Sequence, residues 1–230
     1  MTHRVKNREK FEEWGSEDMI RNVKVHDLHA CFRRAGFAKA VGDPDMEGLY
    51  EDASEFYSAF LDGSLDKKNS ADVRRAFRLG AHNEGHNNFL KGIRVSFDLL
   101  FSHALTPQFQ RYIFCDIVSS QSKMHKLHMM PVRDSVMKWT PEASIKACED
   151  AIAAFLADRT DDNRYTMIYS VPAGFRMWAG MSTNYMQLAR MHLQRKSDVL
   201  KPEWQPICAM IEDLPFMDDI VLEPLAHLHN

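Results

Sequence analysis

Hydrophobic positions along the chain change period several times, and each change predicts an element. Residues 23–28 (VKVHDL) alternate apolar and polar side chains, as a short strand does. Residues 30–41 follow, with Arg33, Arg34 and Lys39 on a predicted helix. Over 46–61, Leu49, Ala53, Phe56, Tyr57 and Phe60 recur at three- and four-residue steps, which predicts an amphipathic helix stopped by Asp62-Gly63-Ser64. Ser70 is the expected N-cap of a helix over 71–80, with Asp72 in its first turn. Residues 92–101 (GIRVSFDLLF) return to period two, placing Ile93, Val95, Phe97 and Leu99 on one face of a strand.

Two Thr-Pro steps predict helix starts, because proline's missing N–H costs nothing at the first helical position. They are Thr106-Pro107 and Thr140-Pro141, the second ahead of a stripe of Ile145, Cys148, Ile152, Phe155 and Leu156 over 143–157. Residues 161–164 read as a polar turn, and Val171-Pro172 interrupts an apolar run. The pattern then predicts one long helix over 175–195 and a last one opened by Pro202 and reaching Ile211. The first 22 residues are charged and lack a sustained period, so they read as an arm; 212–230 read as a proline-punctuated tail. With no repeat, linker or boundary visible, the expectation is one α/β (α+β) domain over 1–230, a central sheet flanked by long helices.

Composition narrows the function classes. A chain that is 45% apolar and 27% charged is that of an ordinary globular protein. A formal charge of −3 argues against bulk nucleic-acid binding, which calls for a basic excess. Cys31, Cys115, Cys148 and Cys208 are widely spaced, form no C-x-x-C and follow no signal peptide, so a reduced, cytoplasmic protein is expected. No apolar run approaches the roughly 20 residues of a membrane span.

Candidate chemistry concentrates in 85–125. Gln108 and Arg111, three apart on a predicted helix, suit a pyrimidine edge or a phosphate; equally, they make an ordinary surface pair. Ser119, Ser120, Gln121 and Ser122 either cap a helix or line a polar pocket, with Lys123 and His125 beside them to hold an anion. The pairs His82/His86 and His125/His128 have ligand-compatible spacing, but no H-E-x-x-H and no carboxylate at a diagnostic offset accompanies them. A histidine-metal hydrolase is therefore the weakest reading, and no metal is expected. On the predicted 175–195 helix, Asn184 and Arg195 share a face, with Arg190 between them. A mid-helix Asn points to a polar contact or to an interhelical hydrogen bond.

Gly85-His86 followed at the family's interval by Gln108-Phe109-Gln110-Arg111, then Pro172, Asn184 and Arg195, resembles the flavin-dependent thymidylate synthases, in a divergent, phage-type form. The resemblance spans roughly residues 80–212. Where that family has R-H-R, this chain has Arg111-Tyr112-Ile113, and the family's S-x-N-E-x-S-x-R corresponds to SSQSKMH only after about three inserted residues. Ser122 or Met124 then takes the place of the nucleotide-contacting serine, and Ile168 stands where the family offers a phosphate-binding arginine. The resemblance implies conversion of dUMP to dTMP, or a related pyrimidine modification, with FAD as cofactor and NADPH and methylenetetrahydrofolate as co-substrates. It implies catalytic roles for Arg111, Ser122 and Arg195. Cofactor contacts would come from His86, Arg111, Tyr112, Asn184 and Arg190, and substrate contacts from Gln108, Ser119, Ser120, Gln121, Ser122, Lys123, His125 and Arg195. It further implies a homotetramer with sites between subunits. A nucleotide-binding relative without catalysis is the alternative.

Overall fold

The alternation over 92–101 becomes a strand because its apolar residues meet a matching set from far along the chain. The computed structural model describes residues 11–16, 18–80 and 85–222. Its strands are β1 Ile20–His26, β2 Arg94–Ser102, β3 Asp116–Ser120 and β4 Arg176–Asn184, all antiparallel in the order β1-β2-β4-β3. The β2–β4 ladder runs unbroken from Arg94↔Asn184 to Ser102↔Arg176. It places Val95 beside Thr183, Phe97 beside Met181 and Leu99 beside Ala179, and all six side chains are buried. Side chains of alternate residues point to opposite faces, so Ser96, Asp98, Ser182 and Gly180 fall on the other, partly open side.

Seven helices of two turns or more are described, and they pack around that sheet: α1 Leu28–Arg34, α2 Ala53–Leu61, α3 Lys67–Gly80, α4 Glu142–Ala157, α5 Asp161–Tyr169, α6 Tyr185–Arg195 and α7 Lys201–Glu212. The main core joins the apolar face of the sheet to α1, α2, α3, α6 and α7, with Phe32, Phe56, Trp204, Phe216 and Tyr185 fully enclosed. A second cluster, including Leu127, Ile145, Cys148, Phe155, Met167 and Phe175, holds the α4–α5 pair. The single mixed domain with an antiparallel sheet agrees with the expected fold class. All four cysteines are buried and unpaired. No helix among the described residues is long and apolar enough to cross a membrane.

Several expected boundaries move, for local reasons. The helix expected over 46–61 begins only at Ala53, because Asp52 takes the N-cap and accepts from Ser54 N and Glu55 N. Its stop is as expected: the Asp62 carboxylate accepts from Ser64 N, and Gly63 supplies φ 76. α3 starts at Lys67, ahead of Ser70, since Asp66 accepts from Asn69 N. Thr106 opens a single turn, Thr106–Phe109, in which its hydroxyl donates to Ser102 O and caps nothing. Before α4 the cap position falls on Pro141, and the buried Thr140 Oγ1 has no hydrogen-bond partner among the described residues. The polar stretch over 161–164 is the first turn of α5, capped by Thr160 Oγ1, which accepts from Asn163 N.

The largest departure concerns 175–195. It holds strand β4 and helix α6, not one helix, and Asn184 sits at their junction. Met177, Ala179, Met181 and Thr183 face one side at period two, and pairing with β2 and β3 decides the conformation over local propensity. Asn184 accordingly is not a mid-helix residue: its side-chain oxygen accepts from Gln187 N as the cap of α6.

Asp72, expected to serve the dipole of its own helix, is instead the hub of a buried network. Its carboxylate accepts from Arg33 Nε at 2.8 Å, Arg75 Nη1 at 2.8 Å and His29 Nε2 at 3.3 Å. Tyr50 N donates to His29 Nδ1, which leaves the His29 proton on Nε2, facing Asp72. Arg33 also donates to Asn69 Oδ1 and to Glu47 O, tying α1 to α3 and to the loop before α2. Burial alone would raise the Asp72 carboxyl, but the bonds from His29, Arg33 and Arg75 outweigh it and hold the group at about 2. A carboxyl depressed in the folded state stabilises above its unfolded value near 3.8 and loses that contribution as pH falls toward about 2. Replacing Asp72 by Asn is expected to remove roughly 2 kcal/mol at neutral pH and to flatten the acid limb between about pH 4 and pH 2. Urea melts of both proteins across that range check it.

Candidate functional site

Where α6 runs past the turn after Thr106–Phe109, its polar face meets two residues named from sequence, Gln108 and Tyr112. Arg195, in the last turn of α6, donates from Nε to the Tyr112 hydroxyl at 2.6 Å. Its Nη1 donates to Asp198 Oδ2 at 2.6 Å and to Gln108 Oε1 at 3.3 Å. The guanidinium carbon lies 5.0 Å from the centroid of the Trp204 ring and 5.6 Å from that of Tyr112. A cation over an aromatic face is attracted by the ring quadrupole, more so away from water, and the Arg195 side chain is only 12% exposed.

The same bonds fix the electrostatics. Burial opposes the Arg195 cation, yet the bonds to Asp198 and Tyr112 outweigh it and raise the group above its ordinary value. For Asp198, burial pushes upward, and it is overridden by the bond from Leu200 N, by Arg195 and by the Gln108 amide, so the carboxyl is held low. Burial raises the Tyr112 phenol despite Arg195, so both members of the Arg195–Asp198 pair stay ionised beside a neutral phenol.

Arg195 and Tyr112 of this cluster, with Arg111, Ile113, Phe114, Gln187, Arg190 and Gln194, line a cavity of about 540 Å³. The guanidinium groups of Arg111 and Arg190 are exposed and have no hydrogen-bond or ion-pair partner among the described residues. Phe114 and Ile113, 62% and 82% exposed, supply apolar surface at the rim. Two cations without counter-ions, a third already paired, two amides and an aromatic face suit a ligand that carries phosphate and a flat ring. A larger groove, about 560 Å³ between β1 and α7, contains none of the expected site residues.

Of the expected residues, the structure brings together Gln108, Arg111, Tyr112, Arg190 and Arg195. Gln108 is nevertheless turned inward: its Oε1 accepts from Trp204 Nε1 at 2.6 Å as well as from Arg195. Asn184 is the cap described above, and neither it nor the exposed His86 lines the cavity. Ser119, Ser120, Gln121, Ser122, Lys123 and His125 lie outside the cavity as well. Ser119 and Ser120 pair with Gly180 and Ala179 on the edge strand, and Gln121 exchanges two bonds with Trp178 N and O. Ser122 heads a single turn without making a side-chain cap bond. Ile168 is buried in the second core cluster and supplies no phosphate contact. His82 lies outside the described residues; among those described, no group of three or more His, Cys, Asp or Glu is placed to hold a metal.

Sequence reading missed Asp198, Trp204, Gln187 and Gln194. Arg195 and Asp198 are an i,i+3 ion pair, and Gln187, Arg190 and Gln194 recur at steps of three and four on one helical face. The first signal ran past the expected helix end at 195, and the second was present within that helix. Because Trp204 is fully buried, Gln108→Leu is expected to strand its indole N–H and to cost about 1–3 kcal/mol. A glutamine serving only an external ligand would leave stability within about 0.5 kcal/mol. Chemical denaturation of the two proteins separates the cases.

No protein-family model and no curated protein sequence matches the chain. Among solved structures it is similar to a thymidylate synthase X (ThyX) from Helicobacter pylori with FAD and dUMP, at a TM-score of 0.57 and 16% identity, covering 74% of this chain and 90% of that one. A second structure of the flavin-dependent thymidylate synthase ThyX from Helicobacter pylori, complexed with FAD and dUMP, gives the same score and identity over 92% of its length. At that identity the likeness is one of fold: this chain carries the ThyX architecture.

Proposed function

We propose that the protein is a flavin-dependent enzyme that methylates a pyrimidine deoxynucleotide at C5, converting dUMP to dTMP with methylenetetrahydrofolate and NADPH. The observation that carries this reading is the cavity with three arginines, two of them without counter-ions among the described residues, on a fold shared with FAD- and dUMP-bound ThyX. Its donor set fits FAD: Arg111 and Arg190 would meet diphosphate oxygens, Gln187 and Gln194 would add neutral donors, and Phe114 would offer a surface to a flat ring. Bound FAD would supply the redox chemistry that reduces the transferred one-carbon group.

The chain's own groups do the rest. Arg195 turns donors toward a pyrimidine oxygen, where negative charge builds as C5 becomes nucleophilic. Arg111 and Arg190 attract and orient the phosphorylated ligands through charge that no described residue neutralises. Tyr112, at the position of the family histidine, accepts from Arg195 with its hydroxyl oxygen, so phosphate binding falls to Arg111 and Arg190. Ser122, Lys123 and His125 lie outside the cavity, and they would reach a nucleotide only at a site shared between copies. A homotetramer with sites between subunits belongs to this reading, as does a cytoplasmic location.

Calorimetric titration of dUMP and dCMP tests the assignment, together with identification of any flavin released from the purified protein. Arg111→Lys is expected to weaken nucleotide binding about ten- to a hundredfold, since an ammonium cannot reproduce the planar fork; such a bond contributes roughly 1.5–3 kcal/mol. Equal affinity of both proteins would move the site elsewhere. Nucleotide binding with no flavin at any stage of purification or reconstitution would point to a non-catalytic relative. Light scattering is expected to give a tetramer, and a monomer at micromolar concentration would remove the shared site.

A further inference from the structure

Arg195 differs from its two neighbours in having almost no freedom. Of its five N–H donors, Nε–H goes to Tyr112, and Nη1 serves Asp198 and Gln108. Among the described residues, Nη2 has no partner, and Arg195 lines the cavity. Both of its ring contacts, and the fixation of Gln108 by Trp204 Nε1, come from residues that are themselves buried. Asp198 is held in turn, because Leu200 N donates to its other oxygen at 2.9 Å.

We propose that Asp198, Gln108, Tyr112 and Trp204 are positioning residues that cage Arg195, so that only its Nη2 edge meets the ligand. The caged, charge-paired Arg195 is thereby reserved for an oxygen that gains charge during reaction, while Arg111 and Arg190 take the standing charge of the phosphates. The division follows from the counter-ions. A cation already paired with Asp198 adds little net attraction for a dianion in the ground state, yet it keeps directional donors that strengthen as charge develops. Arg111 and Arg190, without carboxylate partners among the described residues, attract from the start. This assignment rests on reading the cavity as a nucleotide site.

Asp198→Asn removes the counter-charge and keeps an oxygen to accept from Leu200 N; Tyr112→Phe removes only the hydroxyl. Two measurements apply to the full-length protein. The first is solvent exchange of the Arg195 side-chain Nε–H, followed by nitrogen-15 NMR without ligand. It is expected to be slow in wild type and faster on the order of tenfold in each variant. The second compares dUMP affinity with single-turnover methyl transfer. In Asp198→Asn, affinity is expected to stay within about threefold while the rate falls on the order of tenfold. Arg111→Lys is expected to show the converse, with affinity lost first. Unchanged exchange and unchanged rate in both variants overturn the cage. An Asp198→Asn loss of affinity as large as its loss of rate overturns the division of labour. If wild type neither binds nor converts dUMP, the nucleotide reading falls, and the exchange data alone decide the cage. Should Asp198→Asn not fold, Tyr112→Phe carries both measurements with the same expected outcomes.

Discussion

The unbroken ladder between β2 and β4 is the constraint on which everything else hangs. It joins segments some eighty positions apart, so its cost in chain entropy is repaid only when the whole apolar face closes against α6 and α7. Its register fixes two ends at once. At one end Tyr185 N bonds Ile93 O, which launches α6 directly from the strand. At the other, Ser102 N and Oγ donate to the buried Glu203 carboxylate, each at 2.8 Å, which docks α7. A one-residue slip would turn Phe97 and Met181 outward and detach both helices.

Those two attachments build the Arg195 cluster. The guanidinium comes from the end of α6, the indole from the start of α7, and the phenol and amide from the chain that follows β2. The first two sources follow one another in the chain and the third lies far ahead of them, yet each is tied to the sheet by backbone or buried side-chain bonds. The cavity therefore has a tethered wall carrying paired charge and an exposed rim whose charge is unpaired among the described residues. That contrast suits a site that must gather an anion and then act on a ring.

Much of this was legible in the amino-acid order. The core face of β2 and, except for the exposed Leu156, the stripe of α4 follow from periodicity, and the start of α7 follows from Pro202. Gln108, Arg111 and Arg195 stood out by spacing and by resemblance, and they do converge. What escaped was governed by distant partners. Residues 176–184 are poor in β-branched side chains, and only pairing with two neighbours makes them a strand. Asp72 looks like a helix-start carboxylate until α1 brings Arg33 and His29 to it. Gln108 looks like a ligand reader until Trp204, ninety-six positions later, takes its oxygen. Ser119–Gln121 has a pocket's composition, but its backbone is spent on the sheet.

Phe216 has a consequence for how the molecule is made. Its ring sits among Phe32, Phe56, Tyr57 and Phe60, and its backbone holds φ 61, a left-handed conformation that costs a phenylalanine roughly 1–2 kcal/mol. Just beyond it, Ile220 lies so close to Gly80 that a methyl group there would come within 2.4 Å of it. The aromatic pocket of the first third of the chain is thus plugged by residues near the end of the described structure. During synthesis that pocket emerges from the ribosome open, and its rings stay wetted until the plug arrives. Where one phenylalanine falls in the order of translation thus sets how long that apolar surface stays uncovered.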